Sequence, residues 1–253
     1  MSTSLKIVVC GGGNGAHVLA GLAAARENVT ASVLTLYEDE HTRWKTAVVV
    51  KNDLGEDIRG EVATVTNDPA AVIPGADVIA FVVPAFAHKQ YLEAIKPYIQ
   101  PRRGDERVVL GALPGEGGFD LCARSVLGSA LVDSSIVLFA METLPWACRL
   151  IEYGSYVEVL GTKHTIDIGM VPTPKGDDPT CAKALATLQM LMGDLPKLHP
   201  VASLLSCTLM NINAVRHAHG RGVIQALTRS GPSTPPRKPV CTPILTVKVS
   251  WHF

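Results

Sequence analysis

The segment Gly11-Gly-Gly-Asn-Gly-Ala-His17 has residue types and spacing suited to binding a phosphate group. It follows the apolar run Ile7-Val-Val9 and precedes a helical pattern of small residues. Gly11, Gly13 and Ala16 fit the G-x-G-x-x-G/A spacing, in which glycines let the backbone approach a dinucleotide and the helix N-terminus holds its pyrophosphate. The segment therefore predicts an NAD-type site. The alternative is a glycine-rich turn that binds nothing.

Two further predicted strands end beside this segment. Residues 30–36 form an apolar strand, and Glu38 follows at the distance where an acid meets the adenosine ribose, which favours NAD over NADP. The alternative is that the acids at 38–40 cap the next helix. Residues 77–83 form another strand, and Pro84 begins its terminal loop, where His88 either faces the site or caps the next helix. The predicted cofactor-binding residues are Gly11, Gly12, Gly13, Asn14, Gly15, Ala16, Glu38 and Pro84.

A third predicted strand, 135–140, leads into Met141-Glu-Thr-Leu-Pro-Trp-Ala-Cys-Arg149. The strand is thus followed closely by a carboxylate, a hydroxyl, an indole, a thiol and a guanidinium. Ligands of open α/β sheets bind at the carboxyl ends of the strands, so this segment is a candidate binding site. The alternative is an ordinary loop with Trp146 in the core and Arg149 in solvent.

A helical pattern from Val201 places Asn213 and His217 on one face, because residues i and i+4 align on a helix. His217 and His219 have no third ligand nearby, so no metal site is predicted. The chain then changes character: after Asp194 there are seven basic and no acidic residues, and residues 231–243 contain five prolines. Such a composition does not predict a packed domain.

Composition places few limits on the partners of the chain. The formal net charge is zero and 47% of residues are hydrophobic, so nothing indicates nucleic acid or a membrane surface. Six cysteines without a C-x-x-C pair indicate reduced thiols in a cytoplasmic protein. We see no signal peptide and no apolar run long enough to span a membrane. The oligomeric state is not indicated, and a monomer is compatible with the sequence.

Alternating strands and helices predict an α/β fold of the Rossmann type, a doubly wound and mostly parallel sheet. We assign residues 1–200 to this NAD-binding domain and 201–217 to the first helix of a second, helical domain. Residues 218–253 form a basic, proline-rich tail that we expect to be disordered.

Together these segments resemble the opine dehydrogenases, with the likeness strongest to the octopine dehydrogenase group and extending over about residues 5 to 217. The most specific signal is Glu142-Thr-Leu-Pro-Trp-Ala-Cys-Arg149. The resemblance implies a Rossmann domain for NADH and a helical second domain. The implied reaction is the condensation of an amino acid with pyruvate and reduction of the imine by NADH.

Site roles also follow from the resemblance. It implies that His217 is the general acid/base and that Glu142, Thr143 and Cys148 contact the substrate. Ala214 stands where the family usually has proline. The family continues well beyond this histidine, so we expect the chain to be truncated in its second domain, with a tail from a shifted frame or an alternative terminus. The expected result is NADH binding with impaired opine synthesis.

Three alternatives remain open. One is a two-domain dehydrogenase of the glycerol-3-phosphate or ketopantoate reductase kind, which shares the glycine loop. Another is an NADH-binding module without catalysis, and the third is a non-functional translation product. The amino-acid substrate is open, with arginine, alanine, glycine and taurine all compatible.

Overall fold

A computed structural model describes residues 4–102, 106–116, 118–133, 136–172 and 179–209. The strands are β1 (Leu5–Cys10), β2 (Val29–Leu34), β3 (Ala47–Lys51), β4 (Asp57–Glu61), β5 (Thr64–Thr66), β6 (Val78–Phe81), β7 (Val108–Ala112), β8 (Ile136–Met141), β9 (Trp146–Glu152), β10 (Tyr156–Thr162), β11 (Thr165–Val171) and β12 (Lys197–Val201). The helices are α1 (Asn14–Ala24), α2 (Pro69–Val72), α3 (His88–Ile95), α4 (Phe119–Leu127), α5 (Ala130–Asp133), α6 (Pro179–Met192) and α7 (Leu204–Leu209). Short 3-10 helices lie at Glu40–Arg43, Ala85–Ala87 and Lys96–Tyr98.

Eight strands form the main sheet in the order β12-β11-β8-β7-β6-β1-β2-β5. All neighbouring pairs from β8 to β5 are parallel, and β11 pairs antiparallel with β8. The strand β1 is therefore central, and β2 and β6 flank it. The prediction of a Rossmann-like, mostly parallel sheet is confirmed.

The central strand shows why this sheet forms. In β1, Ile7 and Val9 belong to one buried cluster, and Val8 and Cys10 belong to a second cluster on the other face. Successive side chains of a strand point to opposite faces, so a continuous apolar run needs cover on both sides. Helices α3 and α4 contribute to the second cluster, and α1 and α6 contribute to the first.

A second sheet has the order β4-β3-β10-β9. Helix α1 contacts β1 and β2 of the main sheet and all four strands of the second sheet, so it lies between the two. Its burial is almost complete from Gly15 to Gly21, as expected for a helix covered on both sides. The small residues predicted for this helix allow that close packing.

Three segments take their form from the sheets. Residues 198–200 lie in β12, and Trp146 to Arg149, for which an ordinary loop was the alternative, lie in β9. Residues 57–65 divide into β4 and β5, which belong to different sheets. Within the described residues, no helix combines the length and apolar character that a membrane span requires.

Helix α7 is the described part of the helix predicted from Val201. It packs on β8 and β11, with Leu204 and Cys207 buried. The Cys207 thiol donates to the carbonyls of Ala140 and Asp167, each at 3.2 Å. The assignment of residues 201–217 to a second domain stays a prediction.

Candidate cofactor and substrate site

The glycine loop connects β1 to α1 at the carboxyl edge of the main sheet. Gly11 has φ +130°, and a Cβ at this residue would lie 2.6 Å from the carbonyl oxygen of Val82. The backbone at Gly11 therefore passes directly beside the end of β6. Its positive φ and this close approach both exclude a side chain at residue 11. Among the described residues, no atom lies within 4 Å of the position that a Cβ would take at Gly13. The loop is thus packed at Gly11 and open at Gly13.

The N-terminus of α1 has the features of an anion site. Gly13 occupies the N-cap position, so no side chain accepts hydrogen bonds from the first turn. The N–H groups of that turn have no intrahelical acceptor either. These donors and the positive end of the helix dipole favour a phosphate group beside the loop. Ala16 is fully buried, so its small side chain contributes to the close contact of α1 with the sheet.

His17 connects the glycine loop to the second sheet, a role that the sequence did not reveal. Its Nδ1 lies 2.9 Å from the Gly13 carbonyl oxygen, and the Gly154 N–H donates to Nε2 at 2.9 Å. Because Nε2 accepts, the ring is neutral with its proton on Nδ1. The ring stacks on Trp44 at 3.8 Å between centroids. Burial lowers the pKa of His17 from 6.5 to about 4.

Asn14 makes a second connection to the same sheet. Its Nδ2 donates to the Cys148 carbonyl at 3.4 Å, and the Leu150 N–H donates to its Oδ1 at 3.3 Å. The side-chain amide thus pairs with the edge of β9 as a neighbouring strand would. The backbone N–H of Asn14, in the first turn of α1, stays available for the predicted cofactor contact.

The acids after β2 are divided between two environments. Glu38 is exposed and has φ +44°, whereas Glu40 accepts a hydrogen bond from Thr35 Oγ1 at 2.6 Å. The Glu40 carboxylate also lies where a Cβ at Gly12 would be. Tyr153 is affected by the same carboxylate. Burial raises the pKa of its hydroxyl to about 12, and the negative charge of Glu40 raises it further. Glu40, beside the loop, is therefore a candidate that the sequence did not distinguish from Glu38.

The loop after β6 contains Pro84 and His88. Pro84 precedes the 3-10 turn Ala85–Ala87 and is exposed, as the predicted role requires. His88 is the first residue of α3 and is only 2% exposed, with its ring against Phe119 at 5.2 Å between centroids. Burial lowers its pKa to about 4. The structure thus places His88 in an aromatic cluster rather than on an open site.

The loop after β8 lies against the glycine loop. A Cβ at Gly15 would be 2.7 Å from Leu144 Cδ1, so the two loops are in contact. The Glu142 N–H donates to the Asp167 carbonyl at 2.9 Å, and Thr143 Oγ1 accepts from Lys163 Nζ at 2.8 Å. Partial desolvation lowers the pKa of Lys163, although the charge of Glu142 raises it.

Lys163 was missed in the sequence because it is 20 residues from Thr143 and belongs to no local pattern. Cys148 lies on β9, where burial raises the pKa of its thiol to about 11. Trp146 is 4% exposed and Arg149 is exposed, so both side chains lie as the alternative expected, with the indole in the core and the guanidinium in solvent. The segment therefore presents Glu142 and Thr143 in a short loop and Cys148 on a strand edge. Asn213 and His217 lie outside the described residues.

No protein-family model matches the chain. Over 225 residues the chain is 41% identical to an octopine dehydrogenase of Pecten maximus. The matched region covers 85% of this chain and 53% of that protein. A tauropine dehydrogenase of Arabella iricolor is 38% identical over 224 residues, 83% of this chain and 53% of the relative. The chain thus spans about half the length of the curated relatives that it matches.

Solved structures give the same result. An octopine dehydrogenase with NADH and L-arginine matches with a TM-score of 0.76 and 37% identity, covering 92% of this chain and 57% of the other. An octopine dehydrogenase structure with NADH and pyruvate matches with a TM-score of 0.75 and 38% identity, over 91% and 58% of the two chains. The resemblance seen in the sequence is confirmed: the chain is a homologue of the opine dehydrogenases over most of its own length and about half of theirs.

Proposed function

We propose that the chain binds NADH at the glycine loop and that it serves the reductive condensation of an amino acid with pyruvate. The observation that carries the proposal is the open anion site at Gly13 and the first turn of α1. The homologous octopine dehydrogenase structures that contain NADH support the choice of cofactor. When bound, NADH supplies the hydride for reduction of the imine.

The residues around the loop have distinct proposed roles. The backbone N–H groups of 13–16 hold the pyrophosphate, and Gly11 and Gly12 let the loop backbone pack against Val82 and Glu40 so that this turn stays close to the cofactor. Glu38, with Glu40 beside it, disfavours a 2′-phosphate by charge repulsion, and Pro84 borders the cofactor at the end of β6.

The substrate roles concern the loop after β8. The contact of Leu144 with Gly15 supports substrate roles for the neighbouring Glu142 and Thr143, because ligands of such folds bind at this sheet edge. Cys148 is proposed to contact the substrate as a neutral thiol, because its pKa is raised to about 11. His217 remains the proposed general acid/base on the basis of the resemblance alone. The matches to both octopine and tauropine dehydrogenases leave the amino acid open.

The test of cofactor binding is a fluorescence titration of residues 1–253 with NADH, using Gly13→Asp and Gly161→Asp. Both glycines have open space at the Cβ position and neither has a positive φ, so both variants should fold. A carboxylate about 5 Å from the pyrophosphate costs about 3 kcal/mol at an effective dielectric constant of about 20. We expect roughly hundredfold weaker NADH binding for Gly13→Asp and unchanged binding for Gly161→Asp. Equal affinities in the two variants would remove the glycine loop as the site.

Turnover is tested separately with pyruvate and arginine, alanine, glycine or taurine, by following the loss of NADH absorbance. Consumption of NADH with formation of the matching opine supports the proposed reaction. Binding of NADH without turnover in all four assays favours a binding module without catalysis.

A further inference from the structure

A cleft of about 450 Å³ lies at the edge of the main sheet opposite the glycine loop. Its walls include the start of β1, the residues before β6 and β7, and the first two turns of α6. Because β1, β6 and β7 are parallel, these amino ends face away from the carboxyl ends that surround Gly13. The cleft is thus separate from the proposed NADH site, and its volume is typical of small-molecule sites.

The charged groups of this cleft are mainly positive. Among the residues that the structure describes, four cations and two carboxylates line it: Lys6, Arg102, Arg107, Lys183, Asp77 and Glu106. Both carboxylates lie near one cation, since Arg102 is 3.0 Å from Asp77 and 3.8 Å from Glu106. The formal charge of the lining is therefore positive, and a concave wall concentrates that potential.

Arg102 and Lys6 are held in place by backbone carbonyls. The Arg102 guanidinium donates to the carbonyls of Gly75 at 3.1 Å and Ala76 at 2.5 Å, and its side chain is 17% exposed. Lys6 Nζ donates to the Pro74 carbonyl at 2.8 Å, and its backbone N–H donates to Asp77 at 2.8 Å. These bonds order two cations before a ligand binds, which reduces the entropy lost on binding.

Helix α6 provides the opposite wall. Thr180, Lys183, Ala184 and Thr187 line the cleft at the i, i+3, i+4 and i+7 spacing of one helix face. This face belongs to the first turns of the helix, where the dipole favours negative charge. Lys183 is exposed on that face and adds a cation that can move toward a ligand.

We propose that this cleft binds a small polyanion, a metabolite with at least two phosphate or carboxylate groups. The ligand bridges Lys6 and Arg102 on the sheet side to Lys183 on α6. Binding requires no NADH and leaves the glycine loop free. The site is therefore a second ligand site that a substrate or cofactor of the dehydrogenase reaction does not occupy.

The experiment is isothermal titration of residues 1–253 with pyrophosphate and with citrate, at constant ionic strength and with saturating NADH. Saturating NADH blocks the glycine loop, where pyrophosphate could otherwise bind. Lys183→Gln is the test variant, and Lys197→Gln, an exposed lysine on β12 outside the cleft, is the matched control. Pyrophosphate and citrate distinguish a phosphate ligand from a carboxylate ligand.

We expect saturable binding of at least one probe, about tenfold weaker in Lys183→Gln and unchanged in Lys197→Gln, since one charge-assisted hydrogen bond is lost. Bound ligand should also raise the Tm of the wild-type chain and raise it less in Lys183→Gln. Absence of saturable binding of both probes, or equal affinity in the two variants, overturns the proposal. If the chain does not bind NADH, the proposed function is refuted but the cleft can still be tested. The Gly13→Asp substitution then blocks the glycine loop in place of NADH, and Lys183→Gln is compared with Lys197→Gln in that background.

Discussion

Replacement of His17 with phenylalanine separates hydrogen bonding from ring packing at the glycine loop. The new ring can keep the stacking on Trp44, which is 3.8 Å between centroids in the wild type. It cannot donate to the Gly13 carbonyl or accept from the Gly154 N–H, each at 2.9 Å. The variant therefore leaves the buried Gly154 N–H without its acceptor, whereas the Gly13 carbonyl keeps the bond from the backbone N–H of residue 17 at 3.1 Å.

The expected loss of stability follows from these two lost hydrogen bonds. The unsatisfied Gly154 N–H costs about 1–3 kcal/mol and the lost bond to the Gly13 carbonyl about 1 kcal/mol, so the free energy of unfolding should fall by about 2–4 kcal/mol. A typical domain has about 5–15 kcal/mol in total, so the change is large but measurable. His164→Phe is the control, because His164 is exposed.

The pH dependence gives a second measure. The pKa of His17 is lowered from 6.5 to about 4, so the unfolded chain takes up the proton first as pH falls. The stability from neutral His17 is complete above about pH 6.5 and is lost as the pH falls toward 4, by about 3 kcal/mol in total. His88 has the same direction of shift and the same pH range. The wild type should thus lose about 4 kcal/mol between pH 7.5 and 5, and His17→Phe about half of that.

The assay is urea denaturation at both pH values, followed by circular dichroism. Agreement requires a lower unfolding free energy at pH 7.5 and a weaker pH dependence in His17→Phe, with neither change in His164→Phe. If His17→Phe unfolds at the wild-type urea concentration and keeps the full pH dependence, then His17 does not hold the loop as a neutral acceptor.

Two further predictions concern the proposed site. In the double variant Glu38→Gln/Glu40→Gln, the affinity for NADPH relative to NADH should rise about tenfold, because two negative charges near the proposed ribose position are removed. Fluorescence titration with both cofactors measures the ratio, and an unchanged ratio would exclude these acids as its cause. At pH 8 the Cys148 thiol should react with iodoacetamide about a hundredfold more slowly than a cysteine peptide, because its raised pKa of about 11 leaves little thiolate. Mass spectrometry of the labelled peptide measures the rate, and reaction at the peptide rate contradicts the burial of this thiol.

Local patterns in the sequence were enough to predict the first strand, the glycine loop and the first helix. The buried residues of β1 match its continuous apolar run, and Gly11, at φ +130°, matches the glycine spacing of the loop. A continuous apolar strand requires cover on both faces, and a positive φ beside another backbone requires glycine. The same reasoning gave the mostly parallel sheet.

Strand β12 shows where such rules stop. Pro200 by itself argues against a strand, because proline has no N–H to donate to a ladder. In the structure β12 is the edge of the main sheet, where a missing N–H can face away from the ladder. Edge or centre is decided by the order of the strands, which no local pattern contains.

The sequence by itself determined the strand, the glycine loop and the small-residue helix that carry the proposed anion site. Only the tertiary structure decided what holds that site in place. His17 meets Gly154 and Asn14 meets β9 across more than 130 residues of chain. These pairs form because α1 lies between two sheets, and the free energy of that packing depends on all three elements together. The spacing of residues within one segment cannot report such contacts.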